Sequence, residues 1–168
     1  MKKMPPCFDI SVLYVEDDDN TRIECEQVLR RWVRTLLVAS DGSAGLELFR
    51  QHQPDLVITD ICMPIMDGLQ MAMAIRELAP EVRIISITAL TECSHLMEAI
   101  KAGIDHFVLK PIDIIRLNTI VRRCSLDIIA QKAIALLHGD HKKVLGSLQH
   151  TLDDLKLYEK KFKVFYNG

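Results

Sequence analysis

The stretch Asp55–Gly68, DLVITDICMPIMDG, decides how the rest of this chain is read. It begins with Leu56-Val57-Ile58, a short branched run behind Pro54, which reads as a buried strand. The run stops at Asp60. A carboxylate at the carboxyl end of a buried strand is costly unless something outside the sheet uses it, and in open parallel sheets ligands bind along that edge. Pro64 removes a backbone donor and holds Met63 extended. Asp67-Gly68 then offers a helix N-cap ahead of Leu69-Gln70-Met71-Ala72-Met73. A carboxylate on a strand tip, a stiff loop and a helix start therefore follow one another. Taken alone, the same residues also suit an ordinary aspartate turn.

Working outward, 168 residues suit one domain, or one domain with an extension. A net charge of -2 gives no electrostatic reason to expect nucleic-acid binding, and no apolar run approaches a membrane span. The five cysteines, Cys7, Cys25, Cys62, Cys93 and Cys124, form no Cys-x-x-Cys pair. They read as reduced thiols of a cytoplasmic protein, with Cys25 and Cys124 in the core.

Upstream, Ile10–Val15 reads as the first strand and runs into Glu16-Asp17-Asp18-Asp19. Like charges this dense repel one another, and a hard divalent cation would relieve them. The alternative is a solvated acidic turn with Asp19 or Asn20 as the helix cap. A helix over Thr21–Val33 follows, with Ile23, Val28, Leu29 and Trp32 expected on its apolar side. Leu36–Ala39 is a second strand and Ser43–His52 a second helix. The strand ending at Asp60 is third, followed by a helix over Leu69–Leu78. Val82–Thr88 is a fourth strand, and Glu92–Ala102 a helix closed by Gly103. Phe107–Leu109 is a fifth strand ending in Lys110-Pro111, and Asp113 caps a fifth helix through Cys124. Strands alternating with helices predict a doubly wound α/β fold: a five-stranded parallel sheet of order 2-1-3-4-5 with helices on both faces.

That topology brings Glu16 and Asp17, Asp60, Thr88 and Lys110 to one edge. A Mg²⁺ ion held by the carboxylates, a hydroxyl and an ammonium around a carboxylate nucleophile suit a phosphoryl group. The motifs VEDD, ITDICMPIMDG, SITA and FVLKP, in this order and on these strand tips, resemble the response-regulator receiver domain of two-component signalling, over about Ile10–Cys124. The resemblance implies that Asp60 accepts a phosphoryl group from the phosphohistidine of a sensor histidine kinase or a histidine phosphotransfer protein. It implies Mg²⁺ ligation by Asp17, by Glu16 through water, by Asp60 and by the Cys62 carbonyl. Thr88 and Lys110 would contact the phosphoryl oxygens, and Thr88 and Phe107 would form the switch. Cys62 and Leu90, which flank the path of the hydrolytic water in the family, orient water poorly, so a long-lived phosphoaspartate is expected.

Two other readings compete. Asp17-Asp18-Asp19-Asn20-Thr21 also fits the D-x-D-x-T motif of haloacid-dehalogenase-like phosphatases, with Asp17 as nucleophile and Asp19 as acid–base. That assignment leaves no room for an inserted flap and leaves Asp60 unexplained. The other is a receiver-like interaction module without phosphorylation. The chain divides into a receiver over 8–125 and a helical extension over 126–168. Leu126, Ile129, Ala133 and Leu136 make one apolar stripe of the extension. Leu145, Leu148, Leu152, Leu155 and Phe162 make another, mostly at coiled-coil spacing, as in a connector that forms a homodimer, with an intrachain hairpin as the alternative. His138, His141 and His150 read as surface residues. The apolar end Phe162–Tyr166 suggests a longer protein with an output beyond the connector.

Overall fold

The computed structural model describes residues 8–89 and 98–137. Its elements alternate as expected: β1 (Phe8–Val15), α1 (Asp19–Trp32), β2 (Val33–Ala39), α2 (Gly42–His52), β3 (Leu56–Asp60), α3 (Gly68–Leu78) and β4 (Arg83–Thr88). Then come α4, described over 98–101, β5 (His106–Leu109) and α5 (Ile114–Leu137). The sheet is parallel throughout, in the order β2-β1-β3-β4-β5.

Alternation along the strands splits the core in two. Val12, Tyr14, Ile58, Ile85 and Ile87 face α1 and α5, where they meet Cys25, Leu29, Leu117, Val121 and Cys124. Leu13, Val15, Val57 and Ile84 face the other way, onto Leu46, Phe49, Met71, Ile75 and Ala99. The strands are buried on both sides, which explains their unbroken apolar runs. At the amino-terminal edge Arg76 donates to the carbonyls of Pro80 (2.6 Å) and Val82 (2.7 Å) and to that of Gly103, tying the turn after α3 to the turn before β5.

The first helix departs from the sequence reading at three points. Its N-cap is Asp18, not Asp19 or Asn20: the Asp18 carboxylate accepts from the Thr21 amide at 2.8 Å. Ile23 is 52% exposed, because the buried stripe runs Cys25, Leu29, Trp32 and Ile23 lies about 200° around the helix from Cys25. Val33 leaves the helix in an extended conformation and pairs with Phe8, so β2 starts three residues earlier than Leu36. A β-branched residue beside a strand neighbour favours that choice. The N-caps foreseen at Asp67 and Asp113 hold, and Gln70 completes a capping box with Asp67.

α5 runs without a break from the receiver into the stretch read as extension. Beyond Ser125, Ile128 and Ala133 are each only 7% exposed, and Ile128 joins the core cluster containing Phe8, Trp32 and Val33. Lys132 pairs with Asp55 at 2.7 Å. Asp55 is itself fixed by the amide (2.9 Å) and hydroxyl (3.0 Å) of Ser11. The second leucine stripe and the three tail histidines lie outside the described residues. A chain ending at Ser125 should therefore melt at a lower temperature than one ending at Leu137. Ile128→Ala should cost about 2–5 kcal/mol, and Lys132→Met less than about 1 kcal/mol because that pair is half exposed. Thermal and urea unfolding measure all three.

Candidate functional site

Each site residue sits where a strand ends. β1 ends at Val15, so Glu16 and Asp17 turn over the sheet edge, and the Glu16 amide donates to Ala39 at 3.2 Å. Asp60 closes β3 and Thr88 closes β4; Asp60 is in register with Ile87, next to Thr88. Lys110 follows β5, and its amide donates to the Thr88 carbonyl at 2.9 Å. The Lys110–Pro111 peptide bond is cis.

Asp60 is 5% exposed and fully engaged. Its Oδ1 accepts from the amides of Ile61 (2.5 Å) and Cys62 (3.2 Å). Its Oδ2 accepts from Lys110 Nζ at 2.5 Å, and the same ammonium donates to Glu16 Oε1 at 2.9 Å. Glu16 is completely buried, and its other oxygen, Oε2, has no hydrogen-bond partner. Asp17 is exposed and completes an acidic triad: Glu16, Asp17 and Asp60 each offer an oxygen within 4.8 Å of the others. Oxygen donors crowded at this spacing, one of them buried and unpartnered, fit a hard divalent cation such as Mg²⁺. That is the composition of a receiver-type metal site.

Burial pushes the Glu16 carboxyl above the usual carboxylate range, and the neighbouring Asp60 charge adds to this; Lys110 only partly offsets both. Burial alone would lower the Lys110 ammonium, but its bonds to Asp60 and Glu16 outweigh it and hold the pKa above the ordinary lysine value.

The loop after Asp60 is shaped by close approach. Gly68 donates its amide to the Ile61 carbonyl at 2.8 Å, and a Cβ there would fall 1.9 Å from the Asp60 carbonyl oxygen. Only glycine lets α3 start this close to the acceptor strand. Ile65 is 85% exposed with φ 69°, at the centre of a tight turn closed by the Met66 amide on the Pro64 carbonyl at 2.8 Å. A β-branched residue held in this region is strained.

The sequence-derived residues come together with different degrees of contact. Glu16, Asp17, Asp60 and Lys110 share one cluster, and Cys62 reaches it through its amide. Thr88 is buried beside it at the tip of β4. Phe107 lies further back, in register with Ser86 and partly buried against the core on the α3 side. Leu90 lies outside the described residues. Sequence reasoning missed Arg22, whose guanidinium bonds the carbonyls of Glu16 and Asp17; the signal available was its spacing three residues after Asp19 on a helix. It also missed the Ser11–Asp55 pair, which only strand register brings together.

Residues 12–122 match the response regulator receiver domain family, and the chain belongs to that family. It is a phosphoacceptor-type signalling module rather than an enzyme of the usual kind. Among its relatives is the transcriptional regulatory protein CseB of Streptomyces avermitilis, 33% identical over 116 residues, 67% of this chain and 49% of that protein. Another is the chemotaxis protein CheY of Bacillus subtilis, 33% identical over 101 residues, 60% of this chain and 84% of that one. A solved structure, the N-terminal domain of an uncharacterized protein from Wolinella succinogenes, superposes with a TM-score of 0.70 at 32% identity, covering 73% of this chain and 98% of that one. The chain spans about half the length of relatives such as CseB. The phosphatase alternative fails on the geometry as well: α1 begins at Asp19, whose carboxylate pairs with Arg22 and is no member of the acidic triad.

In the metal-free chain the raised Glu16 pKa sets the sign of a pH effect. Folding favours protonated Glu16, so its stabilising share is complete below the unfolded carboxylate pKa. It is lost as pH rises through the raised folded value. Ionised Glu16 therefore costs stability at neutral pH. Glu16→Gln should raise the melting temperature of the metal-free chain at pH 7, with a gain that shrinks to nothing as the pH falls below the carboxylate range. Thermal melts in chelator, from pH 8 down to about pH 3, below the ordinary glutamate pKa, measure it.

Proposed function

We infer that Asp60 is the phosphoacceptor of a cytoplasmic response regulator, charged by the phosphohistidine of a sensor histidine kinase or a histidine phosphotransfer protein. The observation that carries this is the pose of Asp60 between two backbone amides and Lys110, beside Glu16 and Asp17. An Asp60 oxygen forms a bond to phosphorus as the bond from phosphorus to imidazole nitrogen breaks, and the electron pair leaves with the donor histidine. Mg²⁺, held by Asp17, Asp60, the Cys62 carbonyl and, through water, Glu16, would supply charge neutralisation for the phosphoryl oxygens. Lys110 would exchange its Asp60 contact for a phosphoryl oxygen, and Thr88 would donate its hydroxyl to another. Phosphoryl transfer needs little else from the protein than such positioning.

Readout would follow from Thr88 moving toward the phosphoryl group and Phe107 repacking behind it, which biases a two-state surface on α4, β5 and α5. Phe107 is only partly buried and lies on the edge strand β5, which supports this freedom. α5 would carry the change into residues 126–168, which we read as a connector that pairs two copies of the chain ahead of an output.

Incubation with acetyl phosphate and mass spectrometry should place one phosphoryl group on Asp60, only with a divalent cation present. Asp60→Asn should remove it, a loss of at least about a hundredfold for a missing nucleophile; undiminished labelling of that variant would sink the assignment. Sedimentation of the chain with and without beryllofluoride, against a version ending at Leu137, addresses pairing. Dimer formation that strengthens with beryllofluoride and vanishes on truncation is expected, and a monomer throughout at high micromolar concentration rules the connector dimer out.

A further inference from the structure

Four acids stand in a row, Glu16 to Asp19, and the fold divides them. Glu16 and Asp17 join Asp60. Asp18 caps α1. Asp19 stays exposed and pairs with Arg22. The side chain that touches both sides of this division is Arg22, at the end of the first turn of α1. One of its nitrogens, Nη1, donates to the carbonyl of Glu16 at 2.9 Å and to that of Asp17 at 3.1 Å. Its other terminal nitrogen holds the Asp19 carboxylate. The Arg22 amide closes the first helical turn on the Asp18 carbonyl at 2.9 Å. The side chain is only 19% exposed.

Two successive carbonyls can reach one donor only when both peptide planes turn to the same side. Arg22 therefore fixes the peptide units from which the Glu16 and Asp17 side chains leave the backbone. Its hydrogen bonds go to those carbonyls and to Asp19, not to the carboxylates of the triad. A guanidinium is suited to this because its planar fork serves several acceptors at once, which an ammonium does not.

We propose that Arg22 is a positioning residue of the divalent-cation site, gripping the Glu16–Asp17 backbone and withholding the Asp19 carboxylate from the cation. The role rests on reading Glu16, Asp17 and Asp60 as the metal site. It carries a sign that charge alone contradicts. Removing a cation from beside an acidic cluster should tighten Mg²⁺ binding if the field dominates. It should weaken binding if the grip dominates, as loss of outer contacts does at metal sites.

The test is Mg²⁺ titration of the full chain by calorimetry, well below the melting temperature of each variant measured without metal. Arg22→Met keeps the apolar stem and loses every donor; its Mg²⁺ affinity should fall about tenfold. Arg22→Lys keeps the charge and should also bind more weakly than wild type. Asp19→Asn leaves both carbonyl contacts and should stay close to wild type. Arg22→Met binding Mg²⁺ as tightly as wild type, or more tightly, overturns the role. Should that variant not fold, Arg22→Lys decides by the same criterion, unchanged affinity overturning it. A wild-type chain that binds no Mg²⁺ overturns the metal site itself, and the role with it.

Discussion

One ammonium among three carboxylates is the constraint on which the site depends. Lys110 Nζ bridges Glu16 and Asp60 at 2.9 and 2.5 Å where Glu16 is wholly buried and Asp60 nearly so. Without that cation, two carboxylates in a site of low polarity would repel each other with nothing to offset them. Even with it, Glu16 is held above its ordinary pKa, so the pairing is incomplete and one buried oxygen stays unpartnered. The resting site is electrostatically short of positive charge, which is the condition in which a divalent cation and an incoming phosphoryl group fit together.

The rest of the fold keeps these groups within reach. Parallel strands deliver all their carboxyl ends to one edge, and the order β2-β1-β3-β4-β5 makes β1 and β3 neighbours. Glu16 and Asp60 then face each other with no long loop to span. The amides of Ile61 and Cys62 fix one Asp60 oxygen, and the bare Cα of Gly68 lets α3 close beneath it. At the opposite edge, Asp55 begins the approach to the same strand and is held by Ser11 and Lys132. β3 is thus tied to the site at one end and to the continuation of α5 at the other. A change at Asp60 and a change in the helix leading out of the domain act on one short, fully buried strand.

The strand tips, their chemistry and the sheet order were legible in the sequence because each rests on local rules. Apolar runs mark strands buried on both faces. Asp67 and Asp113 have the cap chemistry their positions need, and alternating strands and helices admit few topologies. Glu16, Asp17, Asp60, Thr88 and Lys110 were visible because a polar residue ending an apolar run is an anomaly that local pattern exposes. Tertiary structure decided what depended on neighbours distant in sequence. Val33 became a strand residue because Phe8 lay beside it, and Ile23 turned outward because Cys25, Leu29 and Trp32 took the core. Ile128 belongs to the packed body because Phe8, Trp32 and Val33 offered apolar surface beyond Ser125. Among the four adjacent acids, the family resemblance already gave Glu16 and Asp17 to the cation. That Asp18 and not Asp19 caps α1, and that Asp19 pairs with Arg22, was decided only by the turn of the backbone, which brings the Asp18 carboxylate rather than its neighbour to the Thr21 amide.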